Sequence, residues 1–124
     1  MKKLLLILTL IPMYTQASEA ECLAKIMYSE ANGEPIEGVV AIGHASLNRS
    51  KITNRSICKL KGVTKRTVHP RVHNTYIALA KSVLNGDKSV VGKADSWERK
   101  INPNKGKITR RIGHHTFYVM RGLK

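Results

Sequence analysis

The first regular hydrophobic pattern of the chain has the spacing of one helix face. Its positions i, i+3, i+4 and i+7 are Leu23, Ile26, Met27 and Glu30. Ser18 stands three residues before Glu21, a capping-box pattern that predicts where the helix begins. Asn32-Gly33 predicts its end. The pattern therefore places the carboxyl group of Glu30 at the end of an apolar stripe.

Two further helices are predicted along the middle of the chain. Pro35 suits the first turn of a second helix that runs to about Arg49. Helical spacing of apolar residues returns from about Arg71 and stops at Asn85-Gly86. The middle of the chain is therefore helical, interrupted by a long connection.

That connection, residues 50–70, is polar and basic and has no periodicity, so we expect a loop that Ile57 and Cys58 anchor. After residue 87 glycine and proline recur, and residues 115–119 have strand-like content. We expect irregular structure and a short C-terminal β-hairpin there. The fold class predicted is α+β, mainly α, in one small domain.

The first 17 residues have the pattern of a secretory signal peptide. Lys2 and Lys3 precede an apolar run over residues 4–11 that is too short to span a bilayer, and Ala17 suits a cleavage site. Cleavage after Ala20 is the alternative. We therefore expect residues 18–124 to form an exported domain, in the periplasm or outside the cell, without stable membrane insertion after cleavage.

The chain is strongly basic. Its 22 Lys and Arg residues against 8 Asp and Glu give a formal net charge of +14 over 124 residues. Such an excess predicts an anionic partner, either nucleic acid, a membrane surface or a cell wall polymer. Export disfavours nucleic acid, because an exported protein rarely meets it.

The only two cysteines are Cys22 and Cys58. In an oxidising compartment we expect them to form one disulfide. The alternative is a pair of buried free thiols.

Glu30 is the candidate with the clearest chemistry. Burial of a carboxyl group disfavours its charged form and so raises its pKa. A carboxylic acid that stays protonated near neutral pH can act as the general acid in cleavage of a glycosidic bond. The alternative is a helix-end glutamate paired with Lys25 or with a distant arginine.

The run CLAKIMYSEANGEPIEGVVAIGHASLNR, residues 22–49, resembles the SleB-type cell wall hydrolases. Shorter matches follow in order at residues 56–58, 84–86 and 112–118. The resemblance implies a lysozyme-like, lytic transglycosylase-like domain that cleaves peptidoglycan, with Glu30 as the catalytic acid. It implies no cofactor and no metal, and we expect a monomer.

The mechanism that the resemblance implies needs one acid. Glu30 protonates the glycosidic oxygen between MurNAc and GlcNAc, and the C6 hydroxyl of MurNAc closes on C1 to give a 1,6-anhydro end. A hydrolase would use a second carboxylate. The candidates for it are Glu34, Glu37, Asp87, Asp95 and Glu98. Asp95 is preferred among them, and Glu34 is expected instead to cap the second helix.

Five residues are candidates for substrate binding: Asn48, Arg49, Asp95, Trp97 and Tyr118. Asn48 and Arg49 either hold the catalytic carboxylate or the substrate, or solvate a helix end. Trp97 either stacks on a sugar or is partly buried in the core. Tyr118 is expected at the edge of the groove, with core packing as the alternative.

The chain departs from the family pattern in one stretch that bears on the substrate. The family commonly carries a Gln-Phe-Ser segment along the groove after the second cysteine, where this chain reads KLKGVTKRTVHP. Two alternative functions also stay open. A zinc amidase would use His69 and His73, four residues apart, with His114 or His115. A non-catalytic cationic protein would bind the wall through its charge alone.

Overall fold

The computed structural model describes residues 12–64, 66–86 and 88–122. Within these ranges the chain forms three α-helices and one three-stranded antiparallel sheet. The helices are α1 (Pro12–Ala31), α2 (Ile36–Thr53) and α3 (His73–Leu84), and the strands are β1 (Ser96–Glu98), β2 (Gly106–Ile112) and β3 (His115–Met120). The predicted α+β, mainly α class is confirmed. Residues 1–11 of the predicted signal peptide lie outside the described residues, and its cleavage stays a prediction.

Helix α1 begins earlier than its sequence pattern predicts. The described part of α1 already begins at Pro12, and Ser18 lies inside it, so the predicted start at Ser18 is wrong for the chain as described. The predicted end is correct: α1 stops at Ala31, and Gly33 adopts a positive φ of 92°.

The apolar stripe of α1 forms the centre of the core. Leu23, Ile26 and Met27 are almost completely buried. A methyl group added at Gly43 of α2 would lie 3.1 Å from the sulfur of Met27 and 3.1 Å from Val83 of α3. The three helices therefore meet at Gly43, where the absence of a side chain lets them approach closely.

The connection between α2 and α3 is more ordered than predicted. Helix α2 continues to Thr53 and ends at Asn54, which has a left-handed φ of 53°. Two short 3₁₀ helices follow, at Ile57–Lys59 and Lys61–Thr64. The Cys22–Cys58 disulfide joins the first of them to α1, so the predicted disulfide is present. Ile57 is buried, in agreement with its predicted anchoring role.

The sheet has the strand order β1-β3-β2, so the predicted C-terminal hairpin forms and gains one more strand. β1 pairs antiparallel with β3, with Trp97 opposite Phe117. The sequence did not predict β1, because three residues are too few to show an alternation of polar and apolar positions. Its pairing nevertheless brings Trp97 towards the helices.

None of the helices in the described residues is long and apolar enough to cross a membrane.

Candidate active site

A pocket of about 210 Å³ opens between the helices and the sheet. Its lining comes from α1, α2, the second 3₁₀ helix and the sheet region: Ile26, Glu30, Ser46, Arg49, Leu60, Lys61, Gly62, Trp97 and Lys105. The pocket is smaller than the usual 300–1,000 Å³ of small-molecule sites.

The centre of the pocket is a hydrogen bond between Trp97 and Glu30. The indole Nε1–H of Trp97 donates to Oε1 of Glu30 at 3.0 Å. Both residues are half-buried. Because β1 pairs with the rigid strand β3, the indole is held in place and fixes the orientation of the carboxyl group. Sequence reasoning named both residues and missed their contact.

Arg49 holds the start of β1 against α2. Its Nε donates to the backbone oxygen of Asp95 at 3.0 Å, and its Nη2 donates to Oγ of Ser96 at 2.8 Å. The guanidinium carbon lies 5.9 Å from the centre of the Trp97 ring, within the range of a cation–π contact. Arg49 thus lines the pocket and also positions the tryptophan that holds Glu30.

Asn48 acts on the segment that leads into β1. Its amide nitrogen donates to the backbone oxygens of Gly92 at 3.0 Å and Ala94 at 2.7 Å. It does not line the pocket that contains Glu30. The structure therefore shows Asn48 in a positioning contact with the segment before β1, and its expected part in binding substrate stays a prediction.

Asp95 lies outside the pocket, in contrast to the expectation of a second carboxylate there. The residue is 1% exposed, and its Oδ1 accepts hydrogen bonds from Ser96 Oγ at 2.8 Å and from the backbone N–H of Met120 at 3.0 Å. These bonds occupy the carboxylate within the sheet. Its surroundings suit a structural role in joining β1 to the end of β3.

Tyr118 is also internal, in contrast to the expected position at the groove edge. It is fully buried, and its hydroxyl accepts from the N–H of Asn102 at 2.6 Å and donates to the backbone oxygen of Lys100 at 3.1 Å. β3 is the central strand, so its side chains face the interior more than those of an edge strand do. Tyr118 anchors the loop before β2.

Glu34 does not cap α2, so that prediction is wrong. Helix α2 has no side-chain cap, and the Glu34 carboxylate turns to the β2–β3 connection instead. The backbone N–H of His114 donates to Oε1 at 2.8 Å, and His114 Nδ1 lies 2.7 Å from Oε2. These two hydrogen bonds hold the pKa of the Glu34 carboxyl below its ordinary value, against the opposing effect of burial. A side chain at Gly113 would displace the Glu34 carboxylate and would also have to adopt the positive φ of 57°, so glycine is favoured here.

His115 lies beside the same carboxylate. Its Nδ1 is 3.8 Å from Glu34 Oε1, and the residue is 3% exposed. Burial lowers the pKa of His115 and outweighs the opposing charges of Glu34 and Glu30. The ring is therefore neutral near pH 7 and packs in the interior, with its centre 6.3 Å from that of Phe117.

The remaining carboxylates proposed as partners of Glu30 lie outside the pocket lining. Glu37 pairs with Arg110 at 3.2 Å, and Glu98 pairs with Lys105 at 3.0 Å. Asp87 lies outside the described residues. Among the residues that the structure describes, Glu30 is thus the only carboxylate that lines the pocket.

The histidines considered for a zinc site do not converge. His69 caps the 3₁₀ helix at Pro70–Val72 by accepting from the N–H of Arg71, and His73 begins α3 with its side chain exposed. Within the described ranges no three His, Cys, Asp or Glu side chains group in a way that could hold a metal ion. The side chain and the backbone N–H of His114 both contact the Glu34 carboxylate.

Sequence reasoning missed the cationic side of the pocket. Lys61 and Lys105 line it together with Arg49. Lys61 lies in the stretch without periodicity, and Lys105 lies in the loop before β2. Nothing in the sequence around either lysine indicates a place in the pocket, because only the tertiary structure brings these two loops close to Glu30.

Comparisons with known proteins concern the fold. No protein-family model and no curated protein sequence matches the chain. Among solved structures, the catalytic domain of the Bacillus cereus SleB protein matches with a TM-score of 0.62, over 81% of this chain and 88% of that domain, at 21% sequence identity. The resemblance seen in residues 22–49 is thereby confirmed at the level of the fold, and the chain has a SleB-like fold.

Proposed function

We propose that this protein is a peptidoglycan-lytic enzyme that cleaves the glycosidic bond between MurNAc and GlcNAc with Glu30 as its general acid and base. The observation that carries the proposal is the Glu30 carboxyl group in the pocket, held at Oε1 by the Trp97 indole. The sequence resemblance to cell wall hydrolases and the SleB-like fold support the same substrate.

The pocket favours a reaction that uses a single acid. A glycosidase that hydrolyses its substrate with two carboxyl groups places them about 5–9.5 Å apart across the bond. In the described part of the chain, Glu30 has no second carboxylate beside it in the pocket lining. This arrangement supports a lytic transglycosylase more than a two-carboxylate hydrolase.

In the proposed mechanism Glu30 acts twice. Its carboxyl group first donates a proton to the glycosidic oxygen, and the bond from that oxygen to C1 of MurNAc breaks. The resulting carboxylate then takes the proton of the MurNAc C6 hydroxyl, whose oxygen forms the new bond to C1. The products are a GlcNAc end and a 1,6-anhydro-MurNAc end, and Glu30 regains its proton without consumption of water.

The neighbours of Glu30 suit this double role. The Trp97 N–H keeps the carboxyl group in one orientation, so that the same group reaches both oxygens without a search for the productive rotamer. Arg49 keeps β1, and therefore Trp97, against α2. Geometry of this kind reduces the entropy that the reaction must lose.

We also propose that the protein acts outside the cytoplasm, in the periplasm or beyond the cell, as a monomer without a cofactor. The Cys22–Cys58 disulfide supports this location, because such bonds persist in oxidising compartments. The net charge of +14 supports accumulation on an anionic wall.

The test is digestion of purified sacculi by the wild-type protein and by Glu30→Gln, followed by mass spectrometry of the products in water enriched in ¹⁸O. The proposal predicts 1,6-anhydro ends without ¹⁸O from the wild type and no cleavage by the variant. Reducing ends that carry ¹⁸O would indicate a hydrolase instead. Free stem peptides that disappear after chelator treatment would indicate the amidase, and binding without any cleavage by the wild type would indicate a wall-binding protein.

A further inference from the structure

The three cations of the pocket differ in what surrounds them. Arg49 donates one hydrogen bond to the backbone oxygen of Asp95 and one to Ser96 Oγ. Lys105 forms an ion pair of 3.0 Å with Glu98, and its side chain is only 15% exposed. Lys61 is exposed and has no hydrogen bond or ion pair with any residue that the structure describes. Two of the charges therefore serve the protein's own structure, and that of Lys61 is directed to solvent at the pocket.

The backbone around Lys61 is fixed although its side chain is exposed. A methyl group at Gly62 would lie 3.1 Å from two carbons of Ile26, so the chain packs directly on α1 one turn before Glu30. Val63 is buried, and the Cys22–Cys58 disulfide ties the preceding 3₁₀ helix to the same helix α1. The backbone of Lys61 is thus held at a constant distance from the helix that carries Glu30.

An exposed ammonium group on a fixed backbone position, without a partner among the described residues, suits an anionic ligand. The sugar rings of a glycan strand are neutral, and the negative groups of peptidoglycan are carboxylates on the substituent of the muramyl residue. Those carboxylates belong either to the stem peptide or, where the peptide has been removed, to the lactyl ether itself. An ion pair formed at the mouth of a pocket adds selectivity for the group that carries the charge.

We propose that Lys61 is a specificity-determining residue that binds a carboxylate on the lactyl-peptide side of the muramyl residue while Glu30 cleaves the strand. This inference rests on the proposed function and extends it to the substrate class: strands that bear free carboxylates next to the cleaved bond. Lys61 acts on binding and takes no part in proton transfer.

The experiment compares Lys61→Gln with Lys59→Gln, which removes the same charge two residues away at an exposed position outside the pocket lining. Each protein is assayed on untreated sacculi and on sacculi whose carboxylates have been converted to methylamides with carbodiimide and methylamine. We expect Lys61→Gln to raise KM on untreated sacculi about three- to fivefold at low salt, as for a partly exposed ion pair. Its kcat stays close to the wild-type value, and Lys61→Arg restores KM.

On the methylamide sacculi the difference between Lys61→Gln and the wild type disappears if the proposal holds. An equal rise in KM for Lys59→Gln, or a Lys61 effect of the same size on methylamide sacculi, overturns it, since the charge then acts only by general attraction. Strands freed of stem peptides by an amidase identify the source of the carboxylate. On these strands the amidase has freed the lactyl carboxylate and removed those of the peptide. A Lys61 effect that survives there shows that the lactyl carboxylate suffices for binding, and one that is lost assigns the carboxylate to the stem peptide.

Binding measurements separate this inference from the proposed function. Co-sedimentation with untreated and methylamide sacculi is carried out in the Glu30→Gln background, where no cleavage interferes. If no protein cleaves any substrate but Lys61→Gln still weakens binding to untreated sacculi alone, the function fails and the anion site stands. If the strand is cleaved but Lys61→Gln binds untreated sacculi as tightly as its parent, the function stands and the anion site fails.

Discussion

Trp97 donates a hydrogen bond of 3.0 Å to Glu30 from a strand that lies 67 positions further along the chain. The contact depends on the pairing of β1 with β3, which sets Trp97 opposite Phe117. It also depends on Arg49, which ties the residues just before Trp97 to α2. The orientation of the Glu30 carboxyl group therefore depends on the sheet as well as on helix α1.

Replacement of Trp97 by phenylalanine tests this relationship. Trp97→Phe keeps an aromatic ring and removes the N–H donor, so the Glu30 carboxyl group loses its fixed orientation. Misplacement of a catalytic group costs up to about 100-fold in rate, and we therefore expect kcat on sacculi to fall roughly 10- to 100-fold with little change in KM. Steady-state release of soluble muropeptides measures both constants.

Urea unfolding of Trp97→Phe serves as the control, because the indole is half-buried and its loss also affects packing. The expected unfolding midpoint is close to that of the wild type. A folded variant with unchanged kcat would show that the indole does not orient the acid.

Asn48 is predicted to stabilise the fold from outside the pocket. Asn48→Ala removes the amide donor of the Gly92 and Ala94 backbone oxygens. Ser89 Oγ still donates to Gly92, so the loss falls mainly on Ala94 and should cost about 1 kcal/mol of the free energy of unfolding. Urea denaturation measures the loss. Asn74→Ala removes an exposed amide on α3 and is the matched control, for which we expect a change within about 0.5 kcal/mol. An equal loss of unfolding free energy in Asn48→Ala and Asn74→Ala would contradict the positioning role of Asn48.

Glu34 is predicted to contribute a pH-dependent part of the stability. The hydrogen bonds from His114 lower its folded-state pKa below the ordinary value of 4.5. A depressed carboxyl pKa stabilises the fold above the ordinary value, and this contribution is lost as the pH falls through the folded-state pKa. We therefore expect Glu34→Gln to be less stable than the wild type at pH 7, with a difference that shrinks steadily below about pH 4.5.

Urea unfolding of both proteins between pH 7 and pH 3 measures this convergence. Glu37→Gln removes an exposed ion pair to Arg110 and should have a small effect. Parallel stability curves for the wild type and Glu34→Gln would argue against the role of the His114 contact.

The Cys22–Cys58 disulfide is predicted to stabilise the domain by about 3–4 kcal/mol, because it closes a loop whose ends are 36 positions apart. Reduction, or the double substitution Cys22→Ala and Cys58→Ala, should lower the free energy of unfolding by this amount. The double variant should not respond to reductant. A reduced wild type as stable as the oxidised protein would contradict the prediction.

The sequence predicted the parts of this molecule that depend on local spacing. The apolar stripe that ends at Glu30 follows from a helical period of 3.6 residues, and its burial is as predicted. The pairing of the two cysteines followed from composition and compartment. The position of the SleB-like motif identified the fold before any coordinates.

The roles of single polar side chains were harder to predict, since these depend on how the sheet meets the helices. Asp95 and Tyr118 were expected to face the substrate, but the register of β1 and β3 turns both into hydrogen bonds within the protein. Glu34 was expected to act on its own helix, but it binds the turn at His114, 80 positions away. Contacts between residues so far apart in the chain produce no repeating pattern in the sequence from which they could be predicted.

The outer strand β2 has a consequence for how copies of this protein meet one another. Among the described strands it pairs only with β3, and its five central residues are exposed. Three of them are the cations Lys107, Arg110 and Arg111. An unpaired strand edge is ordinarily a template for edge-to-edge aggregation. A second copy would bring Lys107 and Arg111 against the same residues of the first, whereas Arg110 pairs with Glu37. Edge-to-edge joining of two copies through β2 is therefore opposed by charge, because Lys107 and Arg111 of each copy repel those of the other.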